Sequence, residues 1–359
     1  MAIRLVLKPA RINNDGCPCR KTFGLEMVLL DSMGSIVLRI CYPCFLSILL
    51  LGSCAKQSVL EPVPIWAYPT NPPAAPGQAA SVPQGPFRIA TSQLSFTRPQ
   101  LSNLFNAPDW HPENHPPMPE VVSRGRQPEV RACGYCHLPT GNGRPENARL
   151  AGLPVGYFVE QMKAFRDGSR KSFVAGRAPT INMSKTAKEI SDEEIQAAAK
   201  YFAALPPKNF MRVVEASTVP KSKIAGWLFK FDRASGEEAL GERILEGPDD
   251  FDQFELRDPD TTYVAYVPTG SIALGKRLAE TWGEGKELEC SSCHGPGYRG
   301  KEDVPSIAGR APSSIVRQLY DLKSGFRKGG KSSEMEKVVK YMTNSDMLAL
   351  AAYLGSLTP

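Results

Sequence analysis

An internal repeat constrains what this 359-residue chain can fold into more than any other feature of its sequence. Residues 151–170 match residues 308–327 at a constant offset of 157, and the pentapeptides at 133–137 and 290–294 share that offset. Apolar side chains recur at helical spacing in the two copies, at Phe158, Met162 and Phe165 and at Ile315, Leu319 and Leu322. A chain repeated in this way is predicted to build two similar, mainly helical domains from one plan.

A further helix is predicted near the end of each copy. Ser191 and Glu194 have the residue types and spacing of an N-terminal capping box, and so do Thr343 and Asp346. Apolar residues follow at helical spacing in both places. Each copy is therefore expected to end with a capped amphipathic helix.

The two repeated pentapeptides have the pattern C-x-x-C-H. Their members are Cys133, Cys136 and His137 in the first copy, and Cys290, Cys293 and His294 in the second. Two thiols on one helical turn can add to the two vinyl groups of a haem, while the next imidazole reaches its iron. One such motif alone could be a zinc half-site or a thioredoxin-like redox pair. Two closed zinc sites are disfavoured because the chain has only four histidines, so we predict two covalently bound haem c groups.

The sixth ligand of each iron is predicted to be a methionine. Met183 and Met335 occupy matching positions: Met183 lies a few residues before Ile190, and Met335 lies equally far before Met342, which aligns with Ile190. Both methionines have polar neighbours. A thioether favours Fe(II), and Met/His ligation raises the potential of a haem. Met342 is assigned to the core, and Met118 is a weaker ligand candidate because it precedes its pentapeptide.

The N-terminal region is predicted to direct export. Residues 40–51 form a short, mostly apolar run, and the ending Leu-Gly-Ser-Cys at 51–54 resembles a bacterial lipoprotein signal. Residues 1–53 would then be removed and Cys54 lipidated, which would place the protein on the periplasmic side of a bacterial membrane. An ordinary cleaved signal and an uncleaved short anchor are the alternatives. The Pro-rich stretch 54–119, which holds His111 and His115, is interpreted as an extended tether.

Charge and cysteine placement exclude other classes. The formal charge of +6 falls to +3 without residues 1–53, which hold six Lys/Arg and three Asp/Glu, so nothing favours a nucleic-acid partner. Five of the nine cysteines lie in the first 54 residues and the other four lie in the pentapeptides. No cysteine remains for a structural disulfide in the globular part.

The order of these motifs resembles tandem class I cytochrome c domains, close to the two-haem periplasmic cytochromes. The resemblance rests on the pentapeptide, the Ala-Gly-anchored helix, a Gly-x-Arg motif, the distal methionine and the capped terminal helix, each present twice. It implies small helical domains around haem and one-electron transfer with a redox donor and a redox acceptor. It also implies that a backbone carbonyl accepts the histidine N–H, a role that Pro305 fits and that falls to Ala148 in the first copy.

The predicted fold class is mainly α, with two cytochrome c domains joined by a connector of some β character. The expected order is signal 1–53, tether 54–119, first domain 120–206, connector 207–270 and second domain 271–359. A helix is predicted before the second pentapeptide from Leu274 and Leu278, whereas Pro128 interrupts the corresponding stretch of the first copy.

The favoured function is electron transfer without catalysis. One alternative is a two-haem peroxidase, in which His111 or His115 would serve as the acid–base group beside an open iron. The other is a cytochrome subunit of a dehydrogenase complex, with the connector as the contact. Six-coordinate iron in both copies favours the carrier over the peroxidase.

Overall fold

The computed structural model of the chain describes residues 61–72, 84–282, 289–329 and 332–359. The predicted signal at 1–53 and the lipidation candidate Cys54 lie outside these residues. Of the helices in the described ranges, none is long and apolar enough to cross a membrane.

The first repeat is mainly helical, as predicted. Its elements, with the helix that precedes it, are α1 (Arg98–Ser102), α2 (Glu120–Ser123), β1 (Gly125–Arg126), β2 (Val130–Arg131), α3 (Cys133–His137), α4 (Val155–Asp167), α5 (Ala178–Glu189) and α6 (Asp192–Ala203). The predicted capping box of α6 is confirmed, because the Ser191 hydroxyl accepts from the Glu194 N–H while the Glu194 carboxylate accepts from the Ser191 N–H. Phe158 of α4 stacks on Phe202 of α6 and ties the two helices into one core.

The second repeat has the same plan with a longer entry helix. Its helices are α8 (Ser271–Thr281), α9 (Cys290–His294), α10 (Pro312–Lys323), α11 (Ser332–Val339) and α12 (Asn344–Ser356). The capping box of Thr343 and Asp346 is confirmed. Helix α8 crosses α12 so closely that a Cβ on Gly275 would lie 1.9 Å from the Ala349 carbonyl oxygen. In the first copy the short helix α2 corresponds to α8. Pro128 lies in the turn between β1 and β2, which agrees with the prediction that it interrupts this stretch.

The region between the repeats is a small β structure. Its elements are β3 (Met211–Glu215), β4 (Thr218–Pro220), β5 (Ser222–Ala225), β6 (Leu228–Phe231), β7 (Glu237–Ala239), β8 (Leu245–Pro248), α7 (Phe251–Glu255) and β9 (Tyr263–Val267). Strand β9 pairs in parallel with β3 and antiparallel with β8, while β4 pairs with β7 and β5 with β6. Ile244, Phe254 and Tyr263 belong to the same buried cluster as Val316 and Leu350. The β region therefore shares the core of the second repeat and is not a separate linker.

The extended tether predicted for 54–119 is wrong where the chain is described. Tyr68 is 1% exposed and donates its hydroxyl to Asp321 of α10, and Trp110 is 1% exposed and donates its indole N–H to the Leu256 carbonyl. Proline restricts the backbone of this stretch, but it does not prevent the aromatic side chains between the prolines from being buried. Residues 61–72 and 84–119 consequently form part of the folded body.

Candidate haem sites

Each C-x-x-C-H pentapeptide folds into one short helix, α3 or α9. After each helix the chain turns back, and the histidine carbonyl accepts a hydrogen bond from a glycine six residues later. Gly143 N lies 3.0 Å from His137 O, and Gly300 N lies 2.7 Å from His294 O. The repeat seen in the sequence thus extends to individual hydrogen bonds.

Both histidines are held with one ring nitrogen free. His137 Nδ1 lies 2.8 Å from the Ala148 carbonyl oxygen, and His294 Nδ1 lies 2.9 Å from that of Pro305. A carbonyl can only accept, so Nδ1 carries the proton in each ring and Nε2 keeps its lone pair. Burial lowers the pKa of both imidazoles against the opposing effect of these carbonyl hydrogen bonds. A neutral, oriented imidazole is a ready metal ligand, and the predicted carbonyl acceptors are confirmed.

The attachment cysteines differ in exposure between the copies. Burial raises the pKa of the Cys133, Cys136 and Cys290 thiols. Cys293, by contrast, is exposed. In the first copy Arg257 stacks over the ring of Tyr135, between the two cysteines, and donates to the Tyr135 carbonyl. The first pentapeptide is therefore covered by neighbouring chain, and the second has one open edge.

One continuous cavity of about 820 Å³ runs past both pentapeptides. Its lining includes the predicted ligands and three of the attachment cysteines: Cys133, Cys136, His137, Met183, Cys293, His294 and Met335. The fourth cysteine, Cys290, is partly buried against the core of the second repeat. His111 and His115 do not belong to this lining. The acid–base group that the peroxidase alternative requires is therefore not supplied by either of them.

The two candidate methionines occupy helices that face the cavity. Met183 lies in α5 and Met335 in α11, and each is partly buried beside the core of its own repeat. Met342 is only 1% exposed and is confirmed as a core residue. Iron ligation by Met183 and Met335 stays a prediction, which their place in the lining supports.

The two repeats meet in a symmetric ring of polar side chains. Arg170 donates to the side-chain oxygens of Gln161, at 2.8 Å, and Gln318, at 3.0 Å. Arg327 donates to the same two oxygens, at 3.1 Å to Gln161 and 2.9 Å to Gln318. Arg170 and Arg327 are 157 positions apart, and so are Gln161 and Gln318. The two copies are thus related by a local two-fold axis that passes through this ring.

The wall of the cavity near this ring is strongly positive. Burial and the charge of Arg327 lower the pKa of Arg170 to about 9. Burial and neighbouring arginines lower the pKa values of Arg149 and Arg177 to about 9 as well. Within the described residues, the Nε atoms of Arg149, Arg177 and Arg327 have no hydrogen-bond partner. Buried guanidinium groups are stabilised by anions. A ligand bound in this cavity is therefore expected to carry negatively charged groups.

This donor set fits haem. Three of the four attachment thiols and both imidazoles line one cavity, and the arginines whose Nε atoms lack a partner match the propionate carboxylates that each haem carries. Arg149 and Arg310 also connect the repeats, since Arg149 donates to the carbonyls of Ala308 and Gly309 and Arg310 donates to the carbonyl of Arg149. The same arginines therefore line the candidate haem sites and connect the two repeats.

Sequence reasoning noted the repeated Gly-x-Arg motif, which includes Arg170 and Arg327, but did not predict the arginine wall. Gln161 and Gln318 are also identical in the two copies, and neither belongs to the apolar pattern of α4 or α10. Polar residues kept identical in both copies of a repeat could have indicated the surface on which the copies meet.

Comparison with known proteins finds c-type cytochromes. The family described as cytochrome c matches residues 272–358. The thiosulfate dehydrogenase electron acceptor of Thiomonas intermedia is 28% identical over 64% of this chain and 80% of its own length. The cytochrome subunit of sulfide dehydrogenase of Chlorobaculum tepidum is 34% identical over 26% of this chain and 84% of its own length. A solved structure of cytochrome c4 from Acidithiobacillus ferrooxidans covers 63% of this chain and 98% of its own at 25% identity, with a TM-score of 0.41.

Proposed function

Because the chain belongs to the class I c-type cytochrome family and is an electron-transfer protein, we propose that it carries electrons on two covalent haems, each ligated by histidine and methionine. The observation that carries the proposal is the single cavity, which both pentapeptides and both candidate methionines enter. The bound haem irons supply the chemistry, a reversible one-electron change at each centre.

The side chains of this chain fix the geometry of that change. The carbonyls of Ala148 and Pro305 hold the imidazole planes, so neither ligand has to reorient when the iron changes charge. Sulfur from Met183 and Met335 would stabilise Fe(II) and raise the potential. The buried arginines would pair with the haem carboxylates inside the protein, with fixed charges in place of mobile water.

We propose a dehydrogenase of a reduced sulfur compound as the electron donor. The names of two relatives, an electron acceptor of thiosulfate dehydrogenase and a cytochrome subunit of sulfide dehydrogenase, support this choice. The exposed Cys293 marks the haem edge of the second repeat as the docking face, since the first pentapeptide lies under Arg257.

Reductive titration tests the carrier function. Dithionite should deliver two electrons per chain, and a thiosulfate dehydrogenase supplied with thiosulfate should reduce the oxidised protein in stopped-flow mixing. The same mixture without thiosulfate is the control, and the protein alone should not turn over peroxide. Uptake of a single electron, or rapid peroxide consumption, would contradict the proposal.

We further propose that Cys54 anchors the mature protein to the periplasmic face of a membrane through lipid. The apolar run at 40–51 and the Leu-Gly-Ser-Cys ending support this placement. Wild-type protein should partition into detergent and incorporate labelled palmitate, whereas Cys54→Ala should do neither. Cys41→Ala, inside the apolar run, is the matched control and should behave as wild type. A mature N-terminus at another residue, found by mass spectrometry, would refute the anchor.

A further inference from the structure

A cluster of potential metal ligands lies outside the haem cavity, between residues 84–119 and the loop that follows α7. His111 is 4% exposed, and its Nε2 atom lies 3.6 Å from Asp260 Oδ2 and 4.0 Å from Asp258 Oδ1. The hydroxyl of Thr91 lies 3.4 Å from the same nitrogen. Ligands of a tetrahedral zinc ion lie about 3.3 Å apart, given bond lengths of about 2.0 Å. The two nitrogen–oxygen distances exceed this spacing by about 0.3 and 0.7 Å, and the three ligand atoms all lie within 4.8 Å of one another.

The second ring nitrogen is already oriented as in a metal site. His111 Nδ1 lies 3.3 Å from Glu113 Oε1, and a carboxylate accepts the proton of Nδ1. Metal-binding histidines commonly donate their other N–H to a carboxylate, which fixes the ring and strengthens the ligand. The lone pair on Nε2 then faces the oxygens of Asp258 and Asp260. The Thr91 hydroxyl can donate to this lone pair, but neither carboxylate can.

Asp258 supplies a separate indication that a cation belongs here. It is 1% exposed and accepts hydrogen bonds from the Asp260 backbone N–H and the Gln253 amide. Within the described ranges no lysine or arginine forms an ion pair with it, and Lys208 reaches only the outer carboxylate, Asp260, at 3.5 Å. A buried carboxylate is costly unless it is paired with a cation.

We propose that His111, Asp258 and Asp260 form a zinc site, with Thr91 or a water completing the coordination. Imidazole and carboxylate oxygen are zinc ligands, and Asp260 at 40% exposure gives the ion a route of entry. The site fastens residues 84–119 to the loop that carries Arg257, whose guanidinium lies over Tyr135. Zinc thus stabilises the cover of the first pentapeptide.

Metal analysis of the full haem-loaded protein tests the site. After treatment with a chelator and titration with ZnCl2, calorimetry should show one saturable zinc per chain, and the melting temperature should rise with zinc concentration by several degrees. Asp260→Asn, at a partly exposed position that folding tolerates, and His111→Gln should each weaken binding by at least tenfold. Glu113→Gln should weaken it by about ten- to a hundredfold through the lost orientation of His111.

His115→Gln is the matched control. His115 pairs with Asp109 and the Pro116 carbonyl and with none of the three proposed ligands, so this variant should bind zinc as the wild type does. Absence of saturable binding to the wild type overturns the proposal. Equal affinity of the wild type and Asp260→Asn overturns it as well.

Discussion

Met183→Ala and Met335→Ala are each expected to open one iron to carbon monoxide, which the wild type should not bind. Each variant should also lower one midpoint potential by more than about 59 mV, a tenfold change in a one-electron equilibrium, because a soft ligand that favours Fe(II) is lost. Spectroscopic titration with carbon monoxide and potentiometry measure both effects. The weak far-red absorption of sulfur-bound ferric haem should fall by about half in each single variant.

Met342→Ala is the control for these two variants. Met342 is fully buried in the core beside α12, so its truncation should cost about 2–5 kcal/mol of stability without changing either iron. If the wild type already binds carbon monoxide, one iron lacks its methionine and the assignment of that residue fails.

Paired replacement of the attachment cysteines is expected to remove one haem at a time. The variants Cys133→Ser/Cys136→Ser and Cys290→Ser/Cys293→Ser should each reduce the pyridine haemochrome yield from two haems per chain to one. Serine cannot form the thioether bonds, and the empty half of the cavity would retain buried arginines without their anions. The melting temperature should therefore fall in both variants.

Ser292→Ala provides a control inside the second pentapeptide, because Ser292 is exposed and lies between the two cysteines. It should keep both haems. Haem that can be extracted from the wild type with acidified solvent would show that no thioether bonds form at all, against the prediction from both motifs.

Much of each repeat was predictable because its information is local. The pentapeptides, the capping boxes of Ser191 and Thr343, and the helix around Leu274 and Leu278 depend on residues a few positions apart. The internal repeat added a second, independent copy of each pattern.

The parts that escaped prediction depend on contacts between distant residues. Trp110 meets the carbonyl of Leu256, 146 positions away, and Tyr68 meets Asp321, 253 positions away. A Pro-rich segment does not reveal which distant groove will bury its aromatic rings. The ring of Arg170 and Arg327 escaped for the same reason, because each arginine bonds to a glutamine of the other repeat as well as of its own.

The burial of Cys133 bears on the stage at which this protein can receive its haem. Burial raises the pKa of its thiol, and the thiolate is the nucleophilic form of cysteine. In the closed chain this thiol is therefore a weaker nucleophile than a free cysteine. We expect thioether formation to precede the closure of the two repeats.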